Sequence, residues 1–185
     1  MNHAATSEEA LLRASLKFAS EEGLKSLNIR SIAKECGVSV GCVYRYFPSK
    51  AALISATVGK IWESIFQLTK GSRQPSGFCE SVRWVFSCIR NGCAEYPSFF
   101  RQHTAAFGQA EKSDGRRAMN HYFDHIRQTL LGALEADPAF PPQLFDETFT
   151  RERFVGFVFD HLLSLGLRGA ADCEFLICVI QKLAR

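Results

Sequence analysis

Residues 28–53 decide the fold, and they read Asn28-Ile29-Arg30-Ser31-Ile32-Ala33-Lys34-Glu35-Cys36-Gly37-Val38-Ser39-Val40-Gly41-Cys42-Val43-Tyr44-Arg45-Tyr46-Phe47-Pro48-Ser49-Lys50-Ala51-Ala52-Leu53. Asn28 and Ser39 are helix-capping residue types, and each precedes a short run with apolar side chains at helical spacing. Gly37 between the runs can adopt the left-handed backbone of a sharp turn. The stretch therefore predicts two short helices joined by a turn. The side chains expected to face inward are Ile32, Ala33, Val43 and Phe47.

The second short helix is predicted to present its outer side to DNA, because a helix of this size fits the major groove with its N-terminal residues nearest the bases. Arg30 and Arg45 are long and forked enough to bind a guanine edge with two hydrogen bonds. Hydroxyl, amide and ammonium groups around them suit the flanking phosphates. The full predicted DNA-contact set is Asn28, Arg30, Ser39, Val40, Gly41, Cys42, Tyr44, Arg45, Tyr46 and Lys50.

The charge distribution agrees with that location. The whole chain of 185 residues has a net charge of only +3, too small to indicate nucleic-acid binding as a global property. Residues 1–60 carry the entire excess, and residues 24–60 contain six basic residues against the single acid Glu35. A local basic segment on a neutral body favours DNA binding by this part of the chain alone.

Residues 11–54 resemble the N-terminal domain of the tetracycline-repressor (TetR) family of transcriptional regulators. The shared pattern is Ile-Ala, then Gly-Val-Ser, Gly, Tyr, Tyr-Phe, Lys and Leu at matching spacings. Asn28 stands where the family usually has Thr or Ser, Cys36 replaces a small Ala, and Cys42 replaces a Thr or Ser that often contacts DNA. The resemblance implies a dimeric repressor that a small-molecule effector releases from a near-palindromic double-stranded operator.

The fold class expected is all-α, with about nine helices. A three-helix helix-turn-helix DNA-binding domain would occupy residues 1–49, and a larger helical effector-binding and dimerisation domain residues 50–185. After a fourth helix from about residue 50 to 69, apolar periodicity and breaks at Gly and Pro predict the remaining helices. Their predicted ranges are Phe78–Ala94, Ser98–Phe107, Gly115–Glu135, Asp146–Leu165 and Asp172–Ala184.

The last two predicted helices carry apolar rows, which either close a core or, as the resemblance implies, form a four-helix dimer interface. The residues assigned to that homodimer interface are Phe154, Phe157, Val158, His161, Leu162, Leu165, Phe175, Leu176, Val179, Ile180 and Leu183.

Aromatic residues of the middle helices are mostly expected in the core. In the resembling family, however, the body often holds a ligand cavity. We therefore predict a pocket for an apolar or aromatic effector with one polar handle. The residues assigned to it are Trp62, Phe66, Trp84, Phe100, His103 and Phe107.

Other functional classes receive less support. The sequence shows no catalytic triad, Gly-rich phosphate loop or believable metal cluster, so we expect no enzyme, metal site or cofactor. The seven cysteines fit reduced thiols, and without a membrane-length apolar run or signal-peptide start we expect a cytoplasmic protein. Two alternatives stay open: a sequence-tolerant architectural DNA-binding protein, and a thiol-based redox-responsive regulator in which oxidation of Cys42 expels DNA.

Overall fold

The computed structural model describes residues 6–67, 75–99 and 114–184, apart from the side chains of residues 25, 66, 67 and 114–119. Within these ranges the regular elements are all helices, which confirms the all-α class. None of the described helices is long and apolar enough to cross a membrane. Residues 97–99 are also helical, and residues 100–107 of the helix predicted there lie outside the described residues. The remaining α-helices are α1 (Glu8–Glu21), α2 (Ile29–Glu35), α3 (Val40–Tyr46), α4 (Lys50–Gln67), α5 (Phe78–Glu95), α6 (Asp114–Ala136), α7 (Arg151–Leu167) and α8 (Glu174–Leu183).

The predicted start of α7 at Asp146 is wrong by five residues. The Asp146 carboxylate accepts hydrogen bonds from the backbone N–H groups of Thr148 and Phe149, both at 2.7 Å, and these bonds hold a turn instead of a first helical turn. Thr150 then caps the helix by accepting from Arg153 N–H. Two short 3-10 segments, Leu24–Ser26 and Pro142–Leu144, also lie where no element was predicted.

The chain divides into two compact units. The first contains Met1–Ser64 and Ala94–His121. In it Leu11, Ile32 and Val43, one from each of the first three helices, are fully buried. The Trp62 ring packs edge-on against Phe99 at 6.4 Å.

The second compact unit contains Ile65–Cys93 and Tyr122–Arg185. Asp137 accepts from the Phe78 N–H at 2.8 Å and so ties the start of α5 to the turn after α6. Gly166 of α7 packs so closely on Ile89 of α5 that an added Cβ would lie 2.6 Å from its side chain. The predicted boundary between a DNA-binding and an effector-binding domain after residue 49 stays a prediction, because a division into compact units does not test where DNA binding ends.

Candidate DNA-binding surface

The turn between α2 and α3 is built by backbone geometry that the sequence encodes. Gly37 has φ +66°, the left-handed conformation predicted for it. Its N–H donates to Lys34 C=O at 3.2 Å, and Val38 N–H donates to Ala33 C=O at 2.9 Å. These two bonds form the Schellman arrangement that ends a helix and satisfies its last carbonyl groups. The turn therefore fixes the direction in which α3 leaves α2.

Side-chain caps fix the starts of both helices, as predicted. Asn28 Oδ1 accepts from Ser31 N–H at 2.8 Å, and Ser39 Oγ accepts from Cys42 N–H at 3.2 Å. Each cap satisfies one N–H group that has no partner within its helix. Because Ser39 only accepts here, its hydroxyl hydrogen can still donate to a phosphate. The Asn28 amide donates to Ser31 Oγ at 2.7 Å, so the phosphate contact predicted for Asn28 would compete with that bond.

One side of α3 is anchored in the core and the other is presented to solvent. Val43 and Phe47 are buried together with Ile32 and Ala33, as expected for an inward face. The other side exposes Val40, Gly41, Tyr44, Arg45 and Tyr46, while Cys42 is half-buried. Exposed apolar and aromatic groups on so short a helix are typical of a surface that binds another molecule.

This surface carries the cations Arg30, Arg45 and Lys50. Among the described residues no carboxylate pairs with Arg30, Arg45 or Lys50, and all three side chains are exposed. Glu35 is instead bound by Lys17 of α1, with Nζ and Oε1 2.8 Å apart. That carboxylate raises the pKa of Lys17 by hydrogen bonding and by Coulombic attraction. The one acid of residues 24–60 is therefore held by α1 and does not pair with Arg30 or Arg45.

A hydrogen bond that sequence reasoning missed engages Tyr46. Its hydroxyl donates to the backbone carbonyl of Thr6 at 2.7 Å and so ties the segment before α1 to the end of α3. A tyrosine hydroxyl has one hydrogen to donate, so the predicted phosphate contact of Tyr46 requires this bond to break. No sequence pattern reports a bond between residues forty positions apart with a backbone acceptor.

The cysteines differ in exposure. Burial raises the pKa of Cys93 and of Cys173 to about 11, so both thiols stay protonated at neutral pH. Cys42 is half-buried on the recognition helix. Redox control through Cys42 stays a prediction. Within the described ranges, no three or more His, Cys, Asp or Glu residues lie close enough together to hold a metal ion.

The predicted effector pocket falls only partly within the described residues. Trp62 is fully buried and Trp84 is half-buried. Phe100, His103 and Phe107 lie outside the described residues, as does the side chain of Phe66. The pocket therefore stays a prediction.

The predicted dimer-interface residues separate into two sets. The first set is buried within the chain itself and offers a partner almost no surface: Phe154, Val158, Leu162, Leu176 and Ile180. Both helices carry apolar residues on more than one side, so the sequence pattern alone does not separate the buried side from the exposed one. The second set is exposed or half-buried: Phe157, His161, Leu165, Phe175, Val179 and Leu183. We call this second set the α7–α8 face.

Comparisons with known proteins agree with the geometry of residues 28–53. The profile of the family described as "Bacterial regulatory proteins, tetR family" matches residues 11–57. The HTH-type transcriptional repressor KstR of Mycolicibacterium smegmatis is 40% identical over 104 residues, which are 56% of this chain and 51% of KstR. The chain thus spans about half the length of the curated relatives it matches.

Solved structures share the fold over nearly the whole chain. The transcriptional regulator SCO7222, a TetR from Streptomyces coelicolor, has a TM-score of 0.64 and 18% identity, covering 94% of this chain and 77% of its own. FadR of Bacillus subtilis, solved in complex with stearoyl-CoA, has a TM-score of 0.62 and 16% identity, covering 96% of this chain and 97% of its own. At such identities the likeness concerns the fold alone.

Proposed function

We propose that this chain, a member of the TetR family of transcriptional regulators by its match over residues 11–57, is a dimeric repressor that binds a near-palindromic operator. Each protomer inserts α3 into a major groove, and the two-fold axis of the dimer matches that of the DNA. A small apolar or aromatic effector bound by the helical body releases the operator.

One observation carries the DNA-binding part of the proposal. The exposed side of α3 combines apolar groups with the guanidinium of Arg45, and within the described part of the chain no carboxylate pairs with Arg45, Arg30 or Lys50. Phosphates attract these cations, and a forked guanidinium can bind O6 and N7 of a guanine together. Val40 and Tyr44 are exposed beside Arg45, so they can contact thymine methyl groups and the sugar–phosphate backbone.

Dimerisation follows from the size of the recognition element and from the α7–α8 face. A helix of seven residues makes few base contacts, so specific binding by one protomer is weak. The α7–α8 face leaves Phe157 60% exposed and Phe175 81% exposed, which is costly in water. A second copy of the chain on this face would bury them and supply the second recognition helix.

The second part of the proposal is that an effector releases the protein from its operator. The fold as such accommodates a largely apolar ligand, because FadR of B. subtilis shares it and is solved with stearoyl-CoA. An effector that shifts α4, which follows the DNA-binding helices directly at Lys50, would change the separation of the two recognition helices. Effector and operator must then weaken each other's binding by the same factor.

The test is selection of bound fragments from random duplex DNA by the purified protein at near-physiological salt. We expect one enriched motif with two-fold symmetry and half-sites about one helical turn apart. Enrichment without any motif, together with a steep dependence of affinity on salt, would instead establish the architectural DNA-binding protein. The selected duplex then serves to screen apolar compounds for those that reduce affinity. That the protein is not an enzyme and that it is cytoplasmic both stay predictions.

A further inference from the structure

The side of α3 that faces away from the core includes Gly41, a residue without a side chain. Helix positions advance by about 100° each, so Gly41 and Arg45 both lie about 160° around the axis from the buried Val43. Both are exposed, and they are one turn apart. The part of the recognition helix that points most directly away from the core is therefore bare backbone at Gly41, followed by a long cationic side chain.

The chain's own fold does not require a glycine at position 41. Its φ lies outside the positive region, unlike those of Gly23, Gly37, Gly77 and Gly169. A Cβ added there would approach only Ser39 Oγ, at 3.9 Å, which is ordinary van der Waals contact. Glycine in a helix is less favourable than alanine because it loses more backbone freedom on folding. The glycine thus weakens a seven-residue helix with no compensating contact among the described residues.

We infer that Gly41 determines how deeply α3 enters the major groove, with its bare Cα in van der Waals contact with the DNA. A methyl group at this position would hold the helix axis away from the base edges. Side chains on either side, Val40 and Arg45, would then lose contacts that depend on that depth. This inference rests on the proposed function, because it assumes that α3 is the element that binds DNA.

The experiment compares Gly41→Ala with Gly132→Ala. Gly132 is exposed in α6, and a Cβ added there meets nothing within 4 Å. Both substitutions remove helical glycines, so we expect each to raise the Tm by about 1–3 °C. Only Gly41→Ala should weaken binding to the selected duplex, by about tenfold, because the methyl group overpacks the protein–DNA contact. Affinity for random duplex should change less than twofold, since phosphate contacts tolerate a shallower position.

Three results would overturn the inference, and they can be told apart. If wild-type protein selects a motif and Gly41→Ala binds it as tightly, Gly41 does not set the depth, while the proposed function stands. If Gly41→Ala lowers the Tm, the glycine serves the fold and not the groove. If wild-type protein itself enriches no duplex, the proposed function fails and this inference fails with it.

Discussion

Two regions of the molecule leave large apolar side chains in solvent, and the charges around them differ. The exposed side of α3 shows Val40, Tyr44 and Tyr46, and the cation of the same helix, Arg45, pairs with no carboxylate of the described residues. The α7–α8 face shows Phe157, Phe175, Val179 and Leu183. Two acids beside this face have cationic partners, since Asp160 binds Arg127 and Glu174 binds Arg83.

This difference indicates two kinds of partner. Exposed apolar groups among unpaired cations suit a polyanion whose bases offer methyl groups and acceptor edges. Exposed apolar groups whose neighbouring acids are neutralised suit a second protein surface of the same character. Substitutions on one surface therefore test whether the function of the other surface depends on it.

The largest effect is expected from a charge on the α7–α8 face. Phe175→Asp should give monomers, because a desolvated carboxylate in an apolar interface is costly. Since the side chain is 81% exposed, folding should be unaffected. Loss of the second recognition helix should lower affinity for the two-half-site duplex by about 100-fold or more. Sedimentation and binding titration measure the two effects.

The matched control is Gln181→Asp, which adds the same charge at an exposed polar position of α8. It should remain dimeric and bind the duplex with nearly wild-type affinity. Should Phe175→Asp also remain dimeric, the interface lies elsewhere and the assignment of the α7–α8 face is wrong.

A smaller effect, specific to sequence, is expected at Arg45. Arg45→Ala should lower affinity for the selected duplex by about 10- to 100-fold, as loss of a two-bond guanine contact does. Affinity for random duplex should fall much less, and the dimer should persist. Arg168→Ala is the control, because the Arg168 guanidinium is engaged locally and donates to the Ser164 carbonyl of α7 at 3.2 Å. Equal losses on both duplexes would show that Arg45 contacts phosphate and not a base.

The two surfaces also differ in how much of them could be predicted from sequence. In residues 28–47 the caps, the turn glycine and the inward residues are all local, because each depends on neighbours a few positions away. The structure confirms Asn28, Gly37, Ser39 and Val43 in these roles.

Which sides of α7 and α8 are exposed could not be predicted from the sequence, for a physical reason. A helix with apolar residues on several sides gives no signal for which side the chain buries itself. Val158 and Ile180 are fully buried, whereas Phe157 and Val179 next to them are exposed. Long-range polar contacts were equally invisible, and both the Tyr46–Thr6 bond and the capping of α5 by Asp137 depend on tertiary packing.

A uniform effect on DNA affinity is expected at Lys50, the first residue of α4. Lys50→Ala should weaken binding to every duplex by a similar factor of several-fold and reduce the slope of log affinity against log salt by about one. Lys60→Ala is the control on the same helix, because that ammonium is engaged by Glu63 at 2.7 Å. An unchanged salt slope for Lys50→Ala would show that the ammonium contacts no phosphate.

The smallest effect separates the two tyrosines at the end of α3. Tyr44→Phe should weaken DNA binding several-fold, because its hydroxyl lies on the 48% exposed side chain and none of the described residues accepts from it. Tyr46→Phe should leave affinity within about twofold, because the lost hydroxyl already donates to Thr6. It should instead lower the free energy of unfolding by about 0.5–1 kcal/mol, the net contribution of one exposed hydrogen bond. Binding titration and urea unfolding of both variants test the pair. If Tyr46→Phe weakens binding as much as Tyr44→Phe while stability is unchanged, the Tyr46 hydroxyl leaves Thr6 when DNA binds and donates to a phosphate.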